Sequence, residues 1–167
     1  VLSAQRPAVT STRLDYLRHG EPVGGNRFRG NGVDDPLSAR GWQQMRDTAA
    51  ATGGWQRIIS SPLRRCHAFA EWLGQARDLP VEVVGDLREV GFGAWEGCNR
   101  KELERQRLAE YEAFYADPVH CRPAGAEPLD HFGARVSAVF DDLVGRYAGQ
   151  HLLVVCHAGV IHGTLGD

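Results

Sequence analysis

The sequence predicts an α/β domain, a three-layer α/β/α sandwich built around a mostly parallel sheet. Short apolar runs at residues 14–17, 57–60, 81–84 and 152–156 are typical of strands. Segments with helical periodicity separate these runs, and such alternation favours parallel strands joined by helical crossovers. The chain has 167 residues, which is enough for one domain with its own hydrophobic core.

Capping residues predict where the first two helices begin and end. Ser38 follows a proline and is a favoured N-cap, and the glycine pair at 53–54 is a favoured helix end. The pair Ser61 and Pro62 predicts the start of the second helix, since proline suits a first turn. The apolar face predicted for the second helix consists of Ala68, Phe69, Trp72 and Leu73.

The segment at about 98–128 is predicted to form a small cap over the sheet edge. Asn99 and Glu102 have the spacing of a capping box that opens a third helix, and Pro118 closes that helix. A long amphipathic helix over 129–147 follows the cap. Its apolar face is predicted to contain Phe132, Val136, Val139, Phe140 and Leu143.

Composition narrows the function classes. A hydrophobic fraction of 43% and a charged fraction of 24% are ordinary for a globular protein. The net charge of −2 predicts neither nucleic acid nor a membrane as partner. The four cysteines form no zinc-ligand pattern, which favours free thiols and a cytoplasmic location. Residues 1–12 lack the apolar core of a signal peptide, and we expect them to be a disordered leader or an expression remnant.

Two histidines follow predicted strands directly. His19 comes after the first strand, with Arg18 before it, and His157 comes after the last. The carboxyl ends of parallel strands meet at one edge of a sheet, where open α/β proteins bind ligands. The sequence therefore predicts that both histidines share one site.

Four motifs occur in a specific order, namely LRHGE at 17–21, SPLRR at 61–65, LREVGFGAWEG at 87–97 and VCHAGVI at 155–161. This order resembles the histidine phosphatase superfamily, which has the phosphoglycerate-mutase-like fold, from Leu14 onward. The loop at 20–38 is most similar to that of bacterial α-ribazole-phosphate phosphatases, enzymes of cobalamin biosynthesis. The resemblance implies one domain over 13–167 in which the final helix and strand of the family are absent.

The resemblance implies a role for each motif residue. His19 would be the nucleophile that becomes a phosphohistidine, and Arg18 and Arg65 would hold the phosphoryl oxygens. His157 would complete the phosphoryl site. Glu89 would donate a proton to the leaving oxygen and then activate water. The resemblance implies no metal ion and no other cofactor.

Elementary chemistry agrees with these roles. A histidine nucleophile must be neutral, and two neighbouring arginines lower the pKa of an imidazole. Guanidinium groups match phosphate oxygens in a bidentate manner. Of the adjacent arginines Arg64 and Arg65, the family pattern favours the second as the ligand and leaves the first at the surface.

Some positions depart from the family pattern or have competitors. Gly25 stands where the family often has an asparagine, so Asn26, Arg27 or Arg29 would contact the phosphate instead. Cys156 replaces a small polar residue before the second histidine. The carboxylates that compete with Glu89 for the acid role are those of Glu21, Glu96 and Glu127.

The sequence therefore predicts a metal-independent phosphomonoesterase that acts on a small-molecule phosphate ester, with α-ribazole 5′-phosphate as a candidate. Alternatives are a cofactor-dependent phosphoglycerate mutase, a phosphatase of protein side chains, and a non-catalytic member that binds phospho-ligands. The mutases carry longer insertions, and the protein phosphatases lack most of the cap. The expected assembly is a monomer or a homodimer.

Overall fold

A parallel four-stranded sheet forms the centre of the computed structural model, which describes residues 11–165. The strands are β1 (Arg13–Arg18), β2 (Arg57–Ser60), β3 (Val81–Val83) and β4 (His151–Cys156). Their order in the sheet is β1-β4-β2-β3, and every neighbouring pair is parallel. All four predicted strands are confirmed to within one residue at each end.

Helices cover both faces of this sheet. They are α1 (Ala39–Ala50), α2 (Arg64–Arg77), α3 (Arg100–Gln106), α4 (Leu108–Ala116), α5 (Leu129–Arg146) and α6 (Ala158–Leu165). Met45 of α1 and Phe69 of α2 belong to the core cluster on one face, and Val136 of α5 belongs to the cluster on the other. The predicted three-layer α/β/α architecture is confirmed.

The helix boundaries differ from the prediction in three places. α2 begins at Arg64 rather than at Ser61 and Pro62, because Leu63 is still extended and serves as the N-cap residue. α1 ends at Ala50, before the glycine pair at 53–54. The single helix predicted for the cap is two helices, separated at Arg107, whose ψ of 43° is not helical.

The buried face of α2 is also different from the predicted one. Phe69 and Leu73 are buried as expected, but Ala68 and Trp72 face outward, and Trp72 is 42% exposed. Arg65 and the residues at helical spacing from it face the sheet instead. The prediction was wrong because it assigned the face from apolarity, whereas a buried arginine occupies part of it.

Two predicted caps are confirmed. The Ser38 hydroxyl accepts a hydrogen bond from the Gly41 amide at the start of α1. Asn99 and Glu102 form the predicted capping box at the start of α3. Behind this box, Trp95, Leu103 and Tyr111 form a separate buried cluster that attaches the cap to the domain.

The ends of the described region bear on two predictions. The helix α6 follows β4 directly, whereas the resemblance implied that the final helix of the family is absent. The leader predicted at 1–12 lies outside the described residues as far as position 10, whereas the Thr12 hydroxyl donates to the Tyr147 carbonyl at 3.2 Å. Within residues 11–165, none of the helices has the length and apolar character needed to cross a membrane.

Candidate active site

The sheet register brings His19 and His157 together. Arg18 at the end of β1 pairs with Cys156 at the end of β4, so the next residue of each strand lies at the same edge. The two imidazole rings pack edge to face, with 5.3 Å between their centroids. The juxtaposition predicted from strand order alone is therefore present.

His19 is arranged to present one unprotonated nitrogen. Its Nδ1 lies 2.8 Å from the Gly20 carbonyl oxygen, and since a carbonyl only accepts, Nδ1 carries the hydrogen and Nε2 keeps its lone pair. The pKa of His19 is lowered to about 4, chiefly by burial, with smaller contributions from the charges of Arg65 and Arg18. Burial is thus the larger cause, where the sequence had suggested the arginines.

Gly20 is required by a close approach rather than by its dihedral angles. A Cβ at this position would lie 2.3 Å from the carbonyl oxygen of Gly41 in α1. The absence of side chains at both positions lets α1 pack directly against the turn that carries His19. Gly20 of the LRHGE motif therefore allows the close packing that fixes the position of His19.

The two predicted phosphate-binding arginines lie beside His19 in different environments. Arg65 is 2% exposed, and its two terminal nitrogens donate to the carbonyls of Gly30 and Val33. Its buried Nε has no partner among the described residues, so donors remain for a ligand. Arg18 is exposed, as is Arg64, which points away from the site as predicted.

Glu89 is the half-buried carboxylate of the site. Its Oε1 accepts from the Val90 amide at 3.0 Å and its Oε2 accepts from the Gly159 amide at 3.2 Å. Burial raises the pKa of Glu89, although both amide bonds and Arg65 favour the ionised form. A Cβ at Gly159 would lie 2.3 Å from Glu89 Oε1, which explains the glycine of the last motif.

The competing carboxylates have other partners. Glu21 is exposed and interacts with Ser38 at the start of α1. Glu96 accepts from the amides of Asn31 and Phe92 and so shapes the loop beneath the cavity. Glu127 forms an ion pair with Arg135, which lowers the pKa of Glu127 to about 2 although burial opposes the shift.

In the loop that follows His19, only some of the candidate contacts are available. Arg29 is buried and donates to Asp35 and to the carbonyls of Val23 and Gly25, so it organises the loop. Arg27 also pairs with Asp35. Asn26 is exposed, and no hydrogen bond joins its side chain to the rest of residues 11–165. Asn26 is therefore free to contact a ligand.

A cavity of about 640 Å³ opens at this edge of the sheet. It is lined by all but one of the predicted site residues, namely Arg18, His19, Asn26, Arg27, Arg65 and Glu89. His157 is the exception, because it is fully buried behind His19. Within residues 11–165, no group of three or more His, Cys, Asp or Glu side chains is arranged to hold a metal ion.

The family model described as "Histidine phosphatase superfamily (branch 1)" matches residues 15–167. The chain belongs to the histidine phosphatase superfamily.

Relatives of this superfamily member have several names. It is 36% identical over 152 residues to a bifunctional protein of Mycobacterium tuberculosis, covering 89% of the chain but only 42% of that protein. The chain thus spans less than half of this relative. It is 30% identical to the adenosylcobalamin/alpha-ribazole phosphatase of Escherichia coli, covering 89% of the chain and 75% of that enzyme. The structure of a mycobacterial glucosyl-3-phosphoglycerate phosphatase, solved with VO3, superposes on this chain with a TM-score of 0.79 at 29% sequence identity. The superposition covers 89% of this chain and 77% of the mycobacterial enzyme.

Sequence reasoning missed Arg135, a buried side chain that organises the loop of Glu89. Its guanidinium donates to the carbonyls of Asp86, Arg88 and Glu89 and forms a two-pronged ion pair with Glu127. The signal was present in the sequence, because Arg135 interrupts the apolar face predicted for α5. Its tertiary partners could not be inferred from that face.

We expect Arg135→Lys to displace Glu89, because lysine keeps the charge but cannot bind three carbonyls and a carboxylate at once. The loss in kcat/KM should be about 10-fold to 100-fold for an alkyl phosphate. It should be much smaller for 4-nitrophenyl phosphate, whose leaving group needs no proton. Arg146→Lys on the same helix, where the side chain is 42% exposed, is the matched control. Equal losses for both esters would contradict a link between Arg135 and Glu89.

Proposed function

We propose that the chain is a metal-independent phosphomonoesterase that acts through a phosphohistidine on His19. The observation that carries the proposal is the arrangement of two groups in one cavity. His19 Nδ1 lies 2.8 Å from the Gly20 carbonyl, which leaves the lone pair on Nε2, and the half-buried Glu89 carboxyl, whose pKa is raised by burial, lines the same cavity. One group is thus prepared to attack phosphorus and the other to donate a proton.

In the first step, His19 Nε2 attacks phosphorus while the bond from phosphorus to the ester oxygen breaks. Glu89 gives its proton to that oxygen, and the alcohol leaves. In the second step, Glu89 takes a proton from water, whose oxygen attacks phosphorus and releases inorganic phosphate and neutral His19. Arg18 and Arg65 hold the phosphoryl oxygens, where charge is concentrated in the transition state.

The substrate is proposed to be a small metabolite with a sizeable leaving group. A second cavity of about 650 Å³ adjoins the first and shares Asn26, Arg27 and Phe28 with it. Tyr115 of α4 lines this second cavity, so the cap segment at 98–128 forms its outer wall. The names of the relatives support sugar-containing or nucleoside-like phosphates, and α-ribazole 5′-phosphate is the candidate.

We also propose that residues 13–167 act as one domain and that the protein is cytoplasmic, as a monomer or homodimer. The four cysteines support this location, since Cys66 and Cys156 are buried free thiols and Cys98 and Cys121 are also unpaired.

The function is tested with a panel of phosphate esters in the presence of a chelator. The panel contains α-ribazole 5′-phosphate, phosphoserine, glucosyl-3-phosphoglycerate, 3-phosphoglycerate and 4-nitrophenyl phosphate, with release of phosphate as the readout. We expect full activity with the chelator and a kcat/KM at least about 10-fold higher for one ester with a large leaving group, which corresponds to about 1.4 kcal/mol. Loss of activity with the chelator, or isomerisation of 3-phosphoglycerate without release of phosphate, would contradict the proposal.

A further inference from the structure

Ser61 makes the shortest polar contact of His157, and the chemistry described above does not use it. It is fully buried in the turn between β2 and α2, and its Oγ lies 2.7 Å from His157 Nε2. The same Oγ accepts a hydrogen bond from the Leu63 amide at 3.3 Å. Because a serine hydroxyl has one proton to donate, the direction of the 2.7 Å bond decides which nitrogen of His157 carries hydrogen.

The two possible directions differ in how well the buried groups are satisfied. If His157 Nε2 donated to Ser61, the hydroxyl oxygen would accept two hydrogen bonds, one from Nε2 and one from the Leu63 amide. The hydroxyl proton could then donate only to the sulfur of Cys66, which is a weak acceptor. If Ser61 donates, its oxygen still accepts from Leu63 and the imidazole nitrogen is a strong acceptor. The Cys66 thiol has its own acceptor, the Cys156 carbonyl at 3.4 Å. Buried polar groups are hydrogen-bonded wherever geometry allows, so the second direction is favoured.

This direction leaves hydrogen on His157 Nδ1, and that atom is unusual. It is buried and has no hydrogen-bond partner among the described residues. Burial lowers the pKa of His157 well below its ordinary value, so the ring is neutral and has a single N–H. The ring packs against His19, so this unpaired donor belongs to a ring in contact with the proposed nucleophile.

We propose that Ser61 is a positioning residue that holds His157 as its Nδ1–H tautomer, so that this N–H donates to an oxygen of the transferring phosphoryl group. The inference rests on the proposed function and on the role that the family resemblance implies for His157, which would complete the phosphoryl site. His157 then transfers no proton and acts as a fixed donor. A donor fixed in advance stabilises the charge of the transition state more than it stabilises the bound ester.

The tautomer itself is measured first, on the unliganded wild-type protein. Long-range ¹H–¹⁵N correlation spectra near neutral pH distinguish a protonated Nδ1 from a protonated Nε2, and His157→Gln assigns the resonances. We expect a protonated Nδ1 and an unprotonated Nε2. A protonated Nε2 would overturn the proposal, whatever the activity of the protein.

The second measurement compares serine variants by kcat, KM and the inhibition constant of orthovanadate, which mimics the five-coordinate phosphorus. Ser61→Ala should lower kcat and vanadate affinity about 10-fold to 100-fold, with a smaller change in KM, as for other losses of a partner that orients a histidine. Ser61→Thr keeps the hydroxyl and should restore most of both. Ser60→Ala is the matched control, since Ser60 is equally buried and donates to the Ser61 carbonyl.

The two proposals can fail separately. A wild-type protein that hydrolyses no ester of the panel would overturn the proposed function, while the spectra would still decide the tautomer. Equal effects of Ser61→Ala and Ser60→Ala on vanadate affinity in an active enzyme would overturn the role of Ser61 alone.

Discussion

Replacing His19 by asparagine is expected to reduce kcat at least about 10³-fold for every ester, because the variant lacks the imidazole nitrogen that is proposed to accept the phosphoryl group. The asparagine amide can still donate to the Gly20 carbonyl, so the turn after β1 should keep its conformation. Brief reaction with ³²P-labelled ester should label the wild type but not the variant. The label should be lost in acid and kept in base, as expected for a phosphoramidate.

The pH dependence of the unfolding free energy of the same variant tests the low pKa of His19 in the folded protein. In the unfolded chain His19 binds a proton below about pH 6.5, whereas in the folded chain it does so only below about pH 4. The wild type therefore loses folding free energy as the pH falls between these values, and His19→Asn does not incur this loss. As the pH falls, the unfolding free energy of His19→Asn should therefore increase relative to that of the wild type. His120→Asn, a substitution at an exposed histidine, is the control for both measurements.

Replacing Glu89 by glutamine is expected to separate esters by their leaving groups. Without a proton donor, kcat/KM should fall about 10²-fold to 10⁴-fold for an alkyl phosphate and much less for 4-nitrophenyl phosphate. Glu21→Gln is the matched control, because Glu21 is another carboxylate that lines the cavity but is exposed. A uniform loss across leaving groups would assign Glu89 to binding rather than to proton transfer.

The pH dependence of kcat/KM gives the same assignment a second test. In the proposed mechanism activity requires neutral His19, so it should rise as the pH passes about 4. It also requires protonated Glu89, so it should fall once the pH exceeds the raised pKa of that carboxyl. In Glu89→Gln the high-pH decrease should disappear while the low-pH limb remains. Persistence of the high-pH decrease would assign it to a different group.

The central placement of the site was predictable from the sequence. The strands are short apolar runs with clear ends, and a parallel sheet carries all its carboxyl ends to one edge. That geometry alone predicted that His19 and His157 would be adjacent. The motif order then selected Arg65 over Arg64, and the structure buries the former and exposes the latter.

The energetic causes within the site were less predictable. The low pKa of His19 is due chiefly to burial, which depends on how the loop and helices close around the ring. The buried face of α2 was misassigned at Trp72, because apolarity alone does not reveal that an arginine will be held inside by loop carbonyls.

The layered α/β fold and the histidine pair at one edge of its sheet could be read from the sequence, since both follow from periodicity and strand order. The motif order that it contains determined the family. How Glu89 and His157 are held depends on tertiary packing. Arg135 reaches the loop of Glu89 from 46 positions away, and Ser61 reaches His157 from 96 positions away. Contacts of this kind depend on how the elements pack, and no local pattern in the chain records them.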